Sequence, residues 1–286
     1  MMAQPKMKKV KGDGAAIQLA VWEGSGKTIL CVHGITSNCR CWDVLASTLS
    51  PKHRVLAMDL RGRGGSDKPE SGYSLERHIE DIRSLMDDLG IEKVVLMGHS
   101  LGAFISLAFG AKYPERLDRM ILVDGGGALS KDQLDKVFQG IKPALDRLGK
   151  IFPSSDAYLD IMKQAPYIQP WSPTIETYYR YELEKANGGV RVNIRPEHIQ
   201  EEAQNMRKVP TDSFYPLINC KTLILRATKG LLSQDDILLP EDVVKRMLKE
   251  IPNARRVDVV GTNHYGIVFQ PNEFRDRAMQ TFLDEP

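Results

Sequence analysis

Lys93-Val94-Val95-Leu96-Met97-Gly98-His99-Ser100-Leu101-Gly102 is the stretch on which the reading of this chain turns. Lys93 to Met97 has the length and aliphatic content of a buried strand, and a helical pattern from Leu101 to Lys112 begins as soon as the glycine-flanked serine has passed. Gly98 and Gly102 bracket Ser100 in a G-x-S-x-G string. A reversal from strand to helix within so few residues needs small neighbours, and it thrusts the serine outward at the carboxyl edge of a sheet. The bare string carries little by itself; the strand before it and the helix after it supply the context. Ser100 is therefore read as a nucleophile, with the first amides of the new helix placing positive potential beside it.

Working outward, further apolar runs rich in Val, Ile and Leu occur at Thr28 to Val32, Arg54 to Met58, Arg119 to Val123, Lys221 to Arg226 and Arg256 to Val260. Amphipathic helical segments at Cys41 to Leu49, Leu75 to Leu89, Glu241 to Glu250 and Asn272 to Leu283 alternate with them. Such alternation implies a mostly parallel central sheet flanked by helices. Ala15 to Trp22 reads as an antiparallel edge strand. The rhythm breaks between residues 128 and 216, where Leu134, Val137, Phe138, Ile141, Leu145 and Leu148 share one helical face and Pro143 marks a kink or boundary. The expected organisation is a core of residues 1–127 and 217–286 with an inserted all-helical cap over 128–216.

The 286 residues are 42% apolar and 27% charged, with a formal net charge of +2. That balance speaks against a nucleic-acid surface. No apolar run is long enough to span a bilayer, and Lys6, Lys8, Lys9 and Lys11 read as a solvated tail. A cytoplasmic protein, monomer or homodimer, is expected. Cys31, Cys39, Cys41 and Cys220 lack the spacing of a zinc knuckle and read as reduced structural thiols. Neither a metal nor another cofactor is expected.

Taken in order, Val32-His33-Gly34-Ile35, Asp59-Leu60-Arg61-Gly62-Arg63-Gly64-Gly65-Ser66-Asp67-Lys68-Pro69, Gly98 to Gly102, Leu122-Val123-Asp124 and Gly261-Thr262-Asn263-His264 make the chain resemble the α/β-hydrolase superfamily, in its group of esterase-, dehalogenase- and epoxide-hydrolase-like members with a helical cap. The resemblance covers nearly the whole chain outside the cap. It implies the α/β-hydrolase fold, oxyanion-hole amides from Ile35 and Leu101, a loop-holding rather than catalytic His33, and His264 as general base in the order Ser, acid, His. His53, His78 and His198 lie in polar segments that read as exposed. The Asp59 to Pro69 segment reads as a glycine-shaped loop without chemistry.

The acid is where the sequence departs from most of the superfamily. Gly230 stands where the acid usually falls, which resembles the subgroup with the acid moved to the preceding strand end, here Asp124. Asp236 is the alternative, if the loop after Gly230 has gained residues, and Asp235 a third. Asp124 is preferred because a rigid strand end holds a carboxylate against an imidazole better than a lengthened loop does.

Aromatic residues crowd the insertion, and together they imply a roofed, largely apolar cleft for a small hydrophobic ester or lactone. Trp171, between Pro170 and Pro173, is read as a substrate-binding pocket wall. The expected activity is cleavage of carboxylic esters by a serine nucleophile through an acyl-enzyme. Lactonase and carbon–carbon bond hydrolase share the same triad chemistry, and a ligand-sensing receptor that keeps the triad is the alternative of another class. Dehalogenase and epoxide-hydrolase chemistry use an aspartate nucleophile where this chain has Ser100.

Overall fold

The computed structural model describes residues 4–233 and 236–286. Among them runs an eight-stranded sheet built from β1 (Lys6–Lys11), β2 (Ala16–Trp22), β3 (Thr28–Val32), β4 (Arg54–Met58), β5 (Val94–His99) and β6 (Leu117–Val123), completed later in the chain by β10 (Lys221–Ala227) and β11 (Ala254–Val259). Their order is β1-β2-β4-β3-β5-β6-β10-β11. The pairs β1–β2 and β2–β4 are antiparallel and all the others parallel. The chain leaves β3 toward one edge and returns through β5 toward the other. The carboxyl ends of β3 and β5 therefore flank the crevice in which open α/β sheets bind ligands.

Alternate residues of each strand feed two cores. Ile29, Cys31, Val95, Met97, Ile121 and Val123 pack on one face with Leu45 and Leu49 of helix 43–49 and with Met279 and Phe282 of helix 273–284. Leu30, Val32, Leu96, Met120 and Leu122 pack on the other with helices 75–88, 101–112 and 241–250. Burial on both faces is why these strands read as continuous apolar runs rather than as alternating ones.

The amino-terminal lysines are not a tail. Lys6–Lys11 is the edge strand, paired residue for residue with β2, so Ala16–Trp22 lies one strand inward from the edge. Val10 is the one buried residue of β1, and lysines along an outer edge discourage pairing with another chain.

The insertion is mostly helical but not all-helical. Helices 131–140, 155–163, 173–181 and 196–206 are joined by a three-stranded antiparallel sheet of β7 (Ile151–Phe152), β8 (Leu183–Ala186) and β9 (Gly189–Val192), ordered β7-β9-β8. Asn187-Gly188 turns the β8–β9 hairpin, with Gly188 at φ 87°. These strands are only two to four residues long, so no period-2 signal marks them. Pro143 sits in the first turn of a separate short helix, 142–145, and so marks a boundary. The insertion is tied to the core through Tyr181, whose hydroxyl donates to Asp59 Oδ2 at 2.7 Å, and through Glu202, described below. No helix among the described residues is long and apolar enough to cross a membrane.

Candidate active site

β5 ends in Gly98-His99, and Ser100 takes φ 55°, ψ −119° before helix 101–112 begins. That conformation is unfavourable for a residue with a Cβ, and the surroundings hold it in place. A Cβ on Gly98 would lie 2.1 Å from the Gly102 carbonyl oxygen, and one on Gly102 would lie 1.9 Å from that of Val32. Two further glycines crowd the serine itself. Positions for a Cβ on Gly34 and Gly125 come within 3.1 Å of the Ser100 Cβ and 2.6 Å of its carbonyl oxygen. The Ser100 N–H donates to Val123 O at 3.2 Å, which stitches the turn to the end of β6.

The next residue of β6 is Asp124. Its Oδ2 lies 2.8 Å from His264 Nδ1, and its Oδ1 accepts from the Ala227 N–H at 3.0 Å. Both side chains are buried. A carboxylate on Nδ1 places the imidazole proton there and leaves Nε2 with its lone pair, the tautomer a base needs. His264 follows β11 through Gly261, at φ 82°, and its loop is tied down by Thr228 and Lys229 N–H groups donating to Thr262 O. His99 adds a contact that the sequence did not reveal. Its Nε2 donates to the His264 carbonyl at 2.9 Å, and the two rings lie 4.3 Å apart. Burial first, and then repulsion from His264, push the His99 imidazole well below its usual range, so it stays a neutral strut.

After β3 the chain turns through His33, Gly34 and Ile35. His33 Nε2 accepts from the Leu60 N–H at 3.0 Å, so its Nδ1 carries the proton and donates to Gly34 O at 2.7 Å. Burial lowers the His33 pKa to about 3 despite that bond, which preserves the tautomer. Ser37 N–H also donates to Gly34 O, at 3.1 Å. Peptide planarity turns the Ile35 N–H, across the same unit, away from those donors. The Leu101 N–H is a first-turn amide with no acceptor within its helix.

Ser100, Ile35 and Leu101 are among the residues that line a cavity of about 580 Å³. Phe104 and Val243 form its walls from the core, while Leu134, Val137, Phe138 and Met206 come from the insertion. Arg207 and Arg246 also belong to the lining; the Arg246 guanidinium pairs with Asp212 at 2.6 Å, and that of Arg207 lies 3.8 Å from Asp135 and over the Phe138 ring. A serine on the lining of a mostly apolar chamber, with a carboxylate-oriented imidazole held by the neighbouring strand end, has the parts for acyl transfer.

Residues 27–271 match the family described as the alpha/beta hydrolase fold. The chain belongs to this family. Among curated relatives, the α/β-hydrolase is 30% identical over 264 residues to 2-(acetamidomethylene)succinate hydrolase of Mesorhizobium japonicum, an alignment covering 92% of this chain and 90% of that protein. A crystal structure of E-2-(acetamidomethylene)succinate hydrolase superposes with a TM-score of 0.86 at 25% identity, over 98% of this chain and 100% of the other. An uncharacterized protein of Mycobacterium tuberculosis is 39% identical over 127 residues, 44% of this chain, and the match spans only 36% of that relative's length.

Other expectations fare differently in this α/β-hydrolase. Trp171 does not line the cavity. It stacks on Tyr179 with centroids 5.6 Å apart, within an aromatic group that includes Tyr158 and Tyr178 and packs the insertion onto the opposite core. The insertion's ring that does reach the cavity is Phe138, on the amphipathic face of helix 131–140. Asp236 is spent on its own loop. Its carboxylate accepts from the N–H groups of Leu231 at 2.7 Å and Leu232 at 2.8 Å, and also from that of Ser233. Gly230 is required there, since a Cβ would lie 2.2 Å from Asp236 Oδ1. Asp235 lies outside the described residues. His53, His78 and His198, expected at the surface, are buried; His78 contacts Glu202, and His198 stacks on Tyr73 at 4.2 Å. Among the described residues no group of three or more His, Cys, Asp or Glu side chains could hold a metal ion.

Proposed function

We propose that this α/β-hydrolase is a serine hydrolase of carboxylic esters, with Ser100 as nucleophile, His264 as general base and Asp124 as the acid that orients it. The observation that carries the reading is the 2.8 Å contact between His264 Nδ1 and Asp124 Oδ2, buried beside a serine that faces an apolar cavity. In this scheme Ser100 Oγ attacks the acyl carbon while His264 Nε2 takes its proton. The Ile35 and Leu101 amides hold the tetrahedral oxyanion, and His264 returns the proton to the departing alcohol. Water then repeats the sequence on the acyl-enzyme and releases the acid. A cyclic ester would follow the same path, with alcohol and acid in one product.

A second reading is favoured by the Mesorhizobium relative, whose name specifies an acetamido-bearing succinate. Arg207 and Arg246 on the cavity lining are already paired with Asp135 and Asp212, so a substrate carboxylate would have to share or displace those partners; on the relative's name, an amide-bearing acid joins the esters as a substrate class. The test is multiple-turnover kinetics on chromogenic esters, lactones and N-acyl enamine acids, combined with mass analysis after fluorophosphonate treatment. A Ser100 adduct with sustained turnover supports the enzyme. A single burst without turnover points to a ligand sensor, and no adduct at Ser100 overturns the reading.

A further inference from the structure

Three consecutive carbonyls of the loop after β3 are each held by a buried side chain. Gly34 O accepts from His33 Nδ1 at 2.7 Å, Ile35 O from Arg63 Nε at 3.2 Å, and Thr36 O from Arg147 Nη2 at 2.9 Å. The two arginines come from different parts of the fold. Arg63 stands in the loop after β4, read from the sequence as having no chemistry, and Arg147 in the insertion. Each is neutralised by a carboxylate that the insertion carries. Arg63 Nη2 donates to Glu202 Oε2 at 2.7 Å, and both side chains are wholly buried. Glu202 also meets His78 Nε2 at 2.9 Å. Arg147 donates to Glu182 from Nε at 3.0 Å and Nη2 at 2.8 Å, and the Tyr158 hydroxyl completes that carboxylate.

We infer that Arg63 and Arg147 are positioning residues that fix the oxyanion loop, with Glu202 and Glu182 coupling the seat of the insertion to the Ile35 amide. The inference rests on the proposed role of Ile35. A buried ion pair contributes little net stability, because desolvation consumes most of its attraction, so the effect of these pairs is sought in the geometry they impose. Fixed orientation is that effect. Oxyanion stabilisation depends on amides already aimed at the developing charge, and misplacement by about 1 Å costs on the order of a hundredfold in rate. A guanidinium suits the task because its planar fork serves several acceptors at once. Arg63 donates to Ile35 O, Arg61 O and Glu202 together. Helix 196–206, which carries Glu202, also presents Ala203 and Met206 to the cavity, so a substrate pressing on that helix pushes on the anchor of the oxyanion loop.

The test is Arg63→Lys, and separately Arg147→Lys, since one ammonium keeps the charge but cannot serve all the acceptors. Rates are expressed per site titrated with fluorophosphonate. The expected result is a kcat lowered by about ten- to a hundredfold with KM within about threefold. Affinity for an alkyl boronic acid, which becomes a tetrahedral anion on the serine, falls by the same factor, while affinity for the carboxylic acid product does not. Should Arg63→Lys fail to fold, Arg63→Met combined with Glu202→Gln removes both charges, leaves His78 an acceptor, and shows the same loss of kcat and boronate affinity. A purely structural role would lower the melting temperature and leave kcat per titrated site and boronate affinity unchanged, which overturns the inference. Unmodified protein without Ser100-dependent turnover defeats the proposed function and this inference together. Normal turnover with unimpaired arginine variants defeats this inference alone.

Discussion

Ser100 and Asp124 stand side by side at the ends of two paired parallel strands, each one residue beyond the registered pair His99 and Val123. Among the described residues they are also the two non-glycine positions with positive φ, 55° and 44°. Both strands thus end in a turn that the backbone resists, at the place where the chemistry is proposed. Strain of this kind persists only where surrounding contacts over-determine it.

Gly125 is one of those contacts. A Cβ added there would lie 2.6 Å from the Ser100 carbonyl oxygen and 2.9 Å from its Cα and N, all backbone atoms with little room to yield. Gly125→Ala is expected to lose about 1–3 kcal/mol of stability and most ester turnover. Urea unfolding and kcat/KM check it. Unchanged values for both would show that the turn is looser than described.

Asp124→Asn keeps the shape but presents an amide to His264 Nδ1 and favours the wrong tautomer. A fall in kcat of roughly two to four orders of magnitude is expected. Asp236→Asn weakens only a loop cap, and its expected effect on kcat is less than about threefold. Equal losses in the two variants would contradict the assignment of the acid.

Substrate length is expected to answer to helix 131–140. Leu134→Ala or Phe138→Ala enlarges the cavity and should shift the kcat/KM ratio between octanoyl and acetyl esters by about tenfold. Trp171→Ala should leave that ratio within about twofold while costing about 1–3 kcal/mol of stability through the lost stack on Tyr179. A reversal between these sites would move the substrate to the other side of the insertion.

Acid stability should depend on Glu202. Burial works to raise its carboxyl, but the charges of His78 and Arg63 and their hydrogen bonds outweigh it and hold the pKa near 2, below the ordinary 4.5. The unfolded chain therefore binds the proton first as pH falls. The stabilisation is complete above the ordinary value and is lost progressively toward about pH 2. His33, lowered by burial to about 3 from 6.5, adds a loss of the same sign that begins at higher pH. Urea unfolding from pH 7 to pH 3 should show stability falling throughout, with a shallower slope below pH 4.5 in Glu202→Gln. An identical slope in the variant would remove Glu202 from this role.

Much of this architecture was legible because burial on both faces leaves a plain mark. Thr28–Val32 and Arg54–Met58 are apolar throughout their inner positions, and Gly98 and Gly102 announce the turn around Ser100. β1 was illegible because an edge strand with one buried side chain, Val10, is written mainly in lysine. β7, β8 and β9 are too short for a period to show, although Asn187-Gly188 was an available hairpin signal. The burial of His78 could not be foreseen, since its partner Glu202 lies 124 residues away. Trp171 was misplaced because an aromatic residue in a lid has two apolar environments open to it, and local sequence does not say which one it enters. The arginines behind the loop after β3 were hidden for a similar reason: charged side chains read as surface until their counter-ions are located.

The cavity is lined on the core side by loops that follow the strands and by helices 101–112 and 241–250, and on the other by helices 131–140 and 196–206 of the insertion. Gly34, Gly98, Gly102 and Gly125 around Ser100 leave no room for a Cβ without a neighbour shifting, whereas Leu134, Val137 and Phe138 belong to a helix whose own residues, Gly140 apart, are not fully buried. Such a division would let selection revise what the cavity admits one side chain at a time while the proposed reaction centre stands untouched. Descendants of this chain would thus diverge first in what they accept and last in the turns that frame Ser100.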